Sequence, residues 1–343
     1  MPMESRILLI YTGGTIGSVS NPATGGLAPI DFAEITRHVP ELEQPGRELV
    51  AEAFDPPLDS SDIGPAEWAR LATLVRDRYT EFDGFVILHG TDTLAYTASA
   101  LSFMFEGLTK PVILTGSQLP IGLPRTDGRE NLLTAVELAT VTSAGRPLIR
   151  EVAVYFGSSL YRGNRTHKES AESLQAIISP NYPPLATAGV ELAVHRSALH
   201  RDPAASFSVT TALESQVAWL PLFPGISPEV LARTLEFQPL RGLVLSTFGS
   251  GNAPSSAALR HLLAAAHDRG VAVVNVTQCG HGGVHPERYA TGHMLLDVGV
   301  VPGGDMTTEA ALTKLMHLLA VHSDPAAVRS GLLADLRGER TPD

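Results

Sequence analysis

Two short turns rich in glycine and threonine each follow an apolar run directly. Thr12-Gly13-Gly14-Thr15-Ile16-Gly17 comes after Ile7–Tyr11, and His89-Gly90-Thr91-Asp92-Thr93 after Phe85–Leu88. A hydroxyl on each turn, with a carboxylate beside the second, suggests acyl transfer more than phosphate holding. Gly13, Gly14 and Gly17 miss the spacing of a dinucleotide fingerprint, and no Lys-Ser/Thr pair follows to make a Walker loop. Taken singly, each turn reads first as a helix cap in which Thr15, Thr91 or Asp92 accepts backbone N–H groups.

Hydroxyls are poor nucleophiles until a base takes the proton, and an amine is such a base only when neutral. Desolvation favours the neutral amine, while a neighbouring carboxylate opposes it and fixes its position. The candidate amine is Lys168, at the end of Tyr161-Arg162-Gly163-Asn164-Arg165-Thr166-His167-Lys168; on its own it reads as a solvated surface charge. Asp59-Ser60-Ser61-Asp62 is either a capping loop or a set of donors and acceptors for the charged ends of a small amino acid. Cys279-Gly280-His281-Gly282-Gly283-Val284-His285 gathers one thiol and two imidazoles without zinc-finger spacing, so no metal is expected there.

These turns need a rigid support, and the pattern between them supplies one. Strand-like runs at Ile7–Tyr11, Leu49–Phe54, Phe85–Leu88, Val112–Thr115 and Val152–Phe156 alternate with helix-like stretches at Pro65–Arg78, Leu94–Phe105 and Glu130–Thr142. Alternation of this kind predicts a mostly parallel, doubly wound sheet, whose carboxyl edge is where ligands bind. Continuous apolar runs fit strands covered on both faces. Ala198–Ser215 is polar and aperiodic and contains Asp202-Pro203, so it reads as a linker.

Beyond it the alternation resumes at Val217–Leu220, Leu243–Leu245 and Val271–Val276, with helices from Ser227, at Ser256–Arg269 and at Thr308–Val321. The expected architecture is α/β: a larger N-terminal domain over 1–197, a linker over 198–215, and a smaller α/β domain over 216–343.

Composition narrows the partners. The chain has 36 acidic against 25 basic residues, a formal charge of −11, and no Lys/Arg-rich run, which disfavours nucleic acid and anionic membranes. Its one cysteine, Cys279, cannot form an internal disulfide, which fits a reducing compartment. The amino terminus lacks the signal-peptide pattern, so a cytoplasmic protein is expected.

Taken together, the four turns resemble the L-asparaginase family in its cytoplasmic type I branch. The likeness runs nearly end to end: Phe85 to Phe103, Leu114-Thr115-Gly116-Ser117-Gln118, Tyr161–Thr166, Gly251-Asn252-Ala253-Pro254 and Tyr289-Ala290-Thr291-Gly292. The resemblance implies hydrolysis of L-asparagine to aspartate and ammonia without cofactor or metal, by a homodimer or homotetramer. It implies Thr15 as nucleophile on the side-chain amide carbon, and Thr91, Lys168 and Asp92 as a relay that moves protons. Asp59, Ser60 and Ser61 resemble contacts for the α-carboxylate and Asp92 one for the α-ammonium. Ser117 belongs with the substrate-binding residues, and Asn252 resembles a residue that completes the site from a neighbouring subunit.

Two positions depart from the family pattern. Leu27 stands where the family usually has a tyrosine that helps activate the first threonine, so either Lys168 activates both threonines, a water substitutes, or the enzyme is slow. At the positions that resemble an allosteric asparagine site stand His167, Ser246 and Cys279; with Ser246 in place of an arginine, weakened or absent allostery is expected. Two rivals remain open: a non-catalytic amino-acid sensor, and an amidotransferase-like subunit, a relative that usually carries an extra N-terminal domain ahead of the first strand.

Overall fold

A computed structural model describes residues 5–20, 27–29, 35, 37–200, 203, 205–288 and 290–342. The chain divides into two compact units, Met1–Thr211 and Ala212–Asp343.

The N-terminal unit is built on an eight-stranded sheet: β1 (Ser5–Gly13), β2 (Arg47–Leu58), β3 (Gly84–Leu88), β4 (Val112–Thr115), β5 (Val152–Phe156), β6 (Ser159–Arg162), β7 (Ala186–Ala188) and β8 (Leu192–Val194). Across the sheet the order is β8-β7-β6-β5-β4-β3-β1-β2. The first five strands pair in parallel, and β6 to β8 extend the sheet antiparallel. From β1 the chain steps to β2 on one side and then returns to β3 on the other. A reversal of this kind leaves a crevice at the carboxyl ends of β1 and β3.

Helices of this unit among the described residues include α1 (Pro65–Arg78), α2 (Leu94–Met104) and α3 (Gly128–Thr140). Leu132, Ala135, Val136 and Ala139 of α3 pack on the face made by Ile7, Leu9, Val86, Leu88 and Ile113. The alternate residues Leu8, Ile10, Phe85, Ile87, Val112 and Leu114 are buried too. With both faces covered, the central strands are continuously apolar over Ile7–Tyr11, Phe85–Leu88 and Val112–Leu114. Nearly all of α2 is buried, since it packs against α1 as well as β4 and β5.

The C-terminal unit repeats the plan at smaller scale. Strands β9 (Val217–Pro221), β10 (Gly242–Thr247), β11 (Ala272–Thr277) and β12 (Val301–Pro302) are all parallel and adjacent in that order. Leu243, Leu245 and Val273 face Leu231, Leu235, Leu259 and Leu263 on one side. Val244, Val274 and Val276 face Ala311, Leu315, Leu318 and Leu332 on the other. A fully buried ion pair, Lys314 Nζ to Glu339 Oε1 at 2.5 Å, ties the tail into this core. Glu339 also accepts the Leu336 and Arg337 N–H groups.

Local details differ from the sequence reading. The helix expected to reach Phe105 ends at Met104, because Phe105 turns extended and pairs with Val209. Lys168 does not sit in an open loop: His167–Lys168 pairs antiparallel with Ile177–Ile178. Among the described residues no helix is long and apolar enough to cross a membrane.

Candidate active site

The turns that follow β1, β2, β3 and β4 lie side by side on the sheet's carboxyl edge, and glycines let their backbones touch. Gly14 sits at φ 85°, ψ 175°, a region open only to glycine. A Cβ there would lie 2.5 Å from both Gly90 N and Gly90 Cα. The residue before Thr15 therefore packs on the residue before Thr91. A Cβ on Gly90 would lie 2.5 Å from Ser60 Oγ, and one on Gly116 2.4 Å from His89 O. These contacts bring together the turns that follow β1 to β4, among them the Thr15, Asp59–Asp62 and Thr91 turns.

Side chains fasten the same joints. Thr12 Oγ1 donates to Leu88 O at 2.9 Å, and Thr93 Oγ1 to Ser60 O at 2.6 Å. Thr15 is half-buried and opens a single 3₁₀ turn, Thr15–Gly17. That turn is clamped by Tyr11, whose hydroxyl donates to Gly17 O at 2.7 Å. Burial pushes the Tyr11 phenol up to about 12, so it stays protonated.

The expected relay is in hydrogen-bonding contact. Lys168 Nζ donates to Thr91 Oγ1 at 2.9 Å and to Asp92 Oδ1 at 2.5 Å. The Lys168 side chain is only 18% exposed, whereas Asp92 is 65% exposed and open to a ligand. Thr91 Oγ1 in turn donates to Gln118 Oε1 at 2.9 Å, and Gln118 Nε2 to Ala171 O at 3.0 Å. Gln118 thus sets the direction of the Thr91 proton, a part that was not assigned from the sequence. Its signals were its place in the turn after a buried strand and its membership of the resembling run Leu114–Gln118.

Asp59 accepts from both the N–H and the hydroxyl of Ser61 at 2.9 Å. These bonds, the backbone one first, hold its carboxyl below the usual range. Ser60 is buried under Gly90. Ser117 Oγ donates to Leu119 O at 2.6 Å, within a turn anchored by Asp127, whose carboxylate accepts the Gln118 and Leu119 N–H groups. His89, a second residue left unassigned, is wholly buried. Its Nδ1 lies 2.7 Å from Gly90 O and its Nε2 2.9 Å from Thr97 Oγ1.

Asn252 lies in the C-terminal unit, in a turn closed by paired backbone hydrogen bonds with Phe248. Leu27 pairs with Ser20 in a short hairpin, and its side chain lies outside the described residues. Tyr289, the first residue of one resembling motif, also lies outside them. Of the positions matching an allosteric site, Ser246 is buried and its hydroxyl accepts the Trp219 indole N–H at 2.7 Å, while Cys279 is exposed. Among the described residues no group of three or more His, Cys, Asp or Glu side chains is arranged to hold a metal ion.

Comparison with known proteins covers both units. The family model "Asparaginase, N-terminal" matches residues 6–200, and "Glutaminase/Asparaginase C-terminal domain" matches residues 216–331. L-asparaginase 1 of Escherichia coli K12 is 43% identical over 348 residues, which cover 99% of each chain. The crystal structure of L-asparaginase I from Vibrio cholerae superimposes with a TM-score of 0.89 at 42% identity, over 98% of this chain and 99% of that one. The thermostable L-asparaginase from Thermococcus kodakarensis gives a TM-score of 0.90 at 36% identity, over 98% of this chain and 100% of that one. With matches over both units and nearly the full length, and with its threonine-bearing turns gathered at one sheet edge, this chain belongs to the asparaginase family.

Proposed function

We propose that this chain hydrolyses L-asparagine to L-aspartate and ammonia, with Thr15 as nucleophile and Thr91, Lys168 and Asp92 as the proton-moving group. One observation carries the reading: Lys168 Nζ bonds both Thr91 and Asp92 at the edge where the Thr15 turn packs on the Thr91 turn. In this reading Thr15 Oγ attacks the side-chain amide carbon, forming a C–O bond while its proton passes to a base. The carbonyl oxygen becomes an oxyanion held by turn N–H groups. Collapse breaks the C–N bond and releases ammonia once nitrogen has gained a proton. Water then cleaves the ester and frees aspartate and Thr15. No step calls for a cofactor or a metal.

Asp92, exposed beside Lys168, suits the substrate ammonium, and the Asp59, Ser60 and Ser61 turn, with Ser117 nearby along the edge, suits its α-carboxylate. The proposal extends to a cytoplasmic homodimer or homotetramer in which Asn252 completes the site of a neighbouring copy, as the family resemblance implies.

Ammonia release from L-asparagine, D-asparagine and L-glutamine, compared between wild type and Thr15→Ala, tests the reading. Loss of a covalent nucleophile is expected to lower turnover on the order of 10⁴-fold or more. Near-normal ammonia release by Thr15→Ala would discard Thr15 as the nucleophile.

A further inference from the structure

His89 is as deeply buried as any core residue, yet its two ring nitrogens have different polar partners. Gly90 O can only accept, so the proton sits on Nδ1 and is donated to it at 2.7 Å. Nε2 then has no proton and accepts from the Thr97 hydroxyl at 2.9 Å. Thr97 Oγ1 in turn accepts the Trp68 indole N–H at 2.9 Å. Trp68, Thr97, His89 and Gly90 therefore form a one-way chain of hydrogen bonds that permits a single tautomer. The ring is neutral, since burial lowers its pKa to about 4.

The end of this chain is the peptide between Gly90 and Thr91. Among the described residues, the cis peptides are Asp55-Pro56 and Gln238-Pro239, so this one is trans and its N–H points opposite to its C=O. With Gly90 O held to the imidazole, the Thr91 N–H is held facing away from it. Among the described residues no protein atom accepts that N–H. The rest of the turn cannot drift: the Gly90 backbone is wedged against Gly14 and Ser60, His89 O faces Gly116, and His89 N donates to Thr115 O at 2.9 Å.

We propose that His89 is a positioning residue: its bond to Gly90 O aims the Thr91 N–H at the oxygen that becomes negative when Thr15 attacks the substrate amide. The inference rests on the asparagine-hydrolysis reading. A donor that matters only as charge develops should affect turnover rather than substrate affinity.

Two substitutions separate aiming from simple filling of space. In His89→Asn the carboxamide nitrogen is attached to Cγ, as Nδ1 is, so the bond to Gly90 O can survive. In His89→Gln the carboxamide lies one carbon further out, where it reaches Thr97 and leaves Gly90 O unheld. Ammonia release from L-asparagine is measured for wild type and both variants, with thermal midpoints recorded alongside. His89→Gln is expected to lose on the order of 10²-fold in kcat with KM little changed, the effect of one lost oxyanion donor. His89→Asn is expected to stay within about 10-fold of wild type, although both variants melt earlier. Equal losses of kcat in the two variants, or losses appearing in KM, would overturn the inference while leaving the parent reading intact. A wild-type chain that releases no ammonia would overturn both.

Discussion

The hydroxyl of Thr91 has one proton, and in the resting geometry it is given to Gln118 rather than to Lys168. Lys168 is the donor in both of its bonds, toward Thr91 and toward Asp92. Before the amine can take a proton from Thr91, that hydroxyl must rotate away from Gln118 and Nζ must turn a lone pair, rather than an N–H, toward it. Charge and basicity can be separated here, because a guanidinium keeps the positive charge beside Asp92 but does not deprotonate in proteins. If Lys168 moves protons, Lys168→Arg should lower kcat on the order of 10²–10⁴-fold, as loss of a general base does. Turnover near wild type in steady-state ammonia assays would leave Lys168 an electrostatic part only. Thr15, Thr91 and Asp92 were marked as candidates in the sequence by strand ends and residue types, and Lys168 by the family resemblance. His89 was not, since a histidine in a motif reads alike whether its ring is exposed or locked between a threonine and a carbonyl.

The strands that carry the site also differ in how plainly they can be read. Phe85–Leu88, Val112–Thr115 and Val152–Phe156 stand out because strands covered on both faces are continuously apolar. The antiparallel β6, β7 and β8 are only three or four residues long and partly exposed, so neither an apolar run nor a clear alternation marks them. The two-residue pairing of His167–Lys168 with Ile177–Ile178 was hidden for the same reason. What joins the elements is steric. At Gly14 a methyl group would meet the Gly90 backbone at 2.5 Å, in a conformation with φ of +85°. Gly14→Ala should therefore cost about 1–3 kcal/mol in backbone strain alone and push the Thr15 and Thr91 turns apart. Urea unfolding should show a lower midpoint, and residual folded protein should release ammonia far more slowly. A variant with wild-type stability and rate would mean that the two turns need not touch.

Each unit contains a histidine whose neutral form is favoured by burial, and both make stability depend on pH on the acid side. His89 lies in the N-terminal unit and His317 in the C-terminal one. Burial lowers both from 6.5 to about 4, and near His317 the Arg337 and His322 charges add to the effect. Between those limits the unfolded chain binds a proton that the folded unit does not, so stability rises with pH across the window. Each contribution is complete above 6.5 and is lost progressively as pH falls toward 4. A shift of this size amounts to roughly 3 kcal/mol per histidine. On the alkaline side the buried Tyr11, raised from 10.0 to about 12, makes stability fall once pH passes 10.0. Thermal unfolding followed from pH 4 to pH 11 should therefore give a plateau from about 6.5 to 10 with losses at both ends. His317→Leu removes one of the two acid terms without touching the candidate site, so its C-terminal unit should melt with a shallower dependence between 6.5 and 4. An unfolding temperature that stays level from 6.5 down to 5, in wild type and variant alike, would show that neither imidazole is held neutral by the fold.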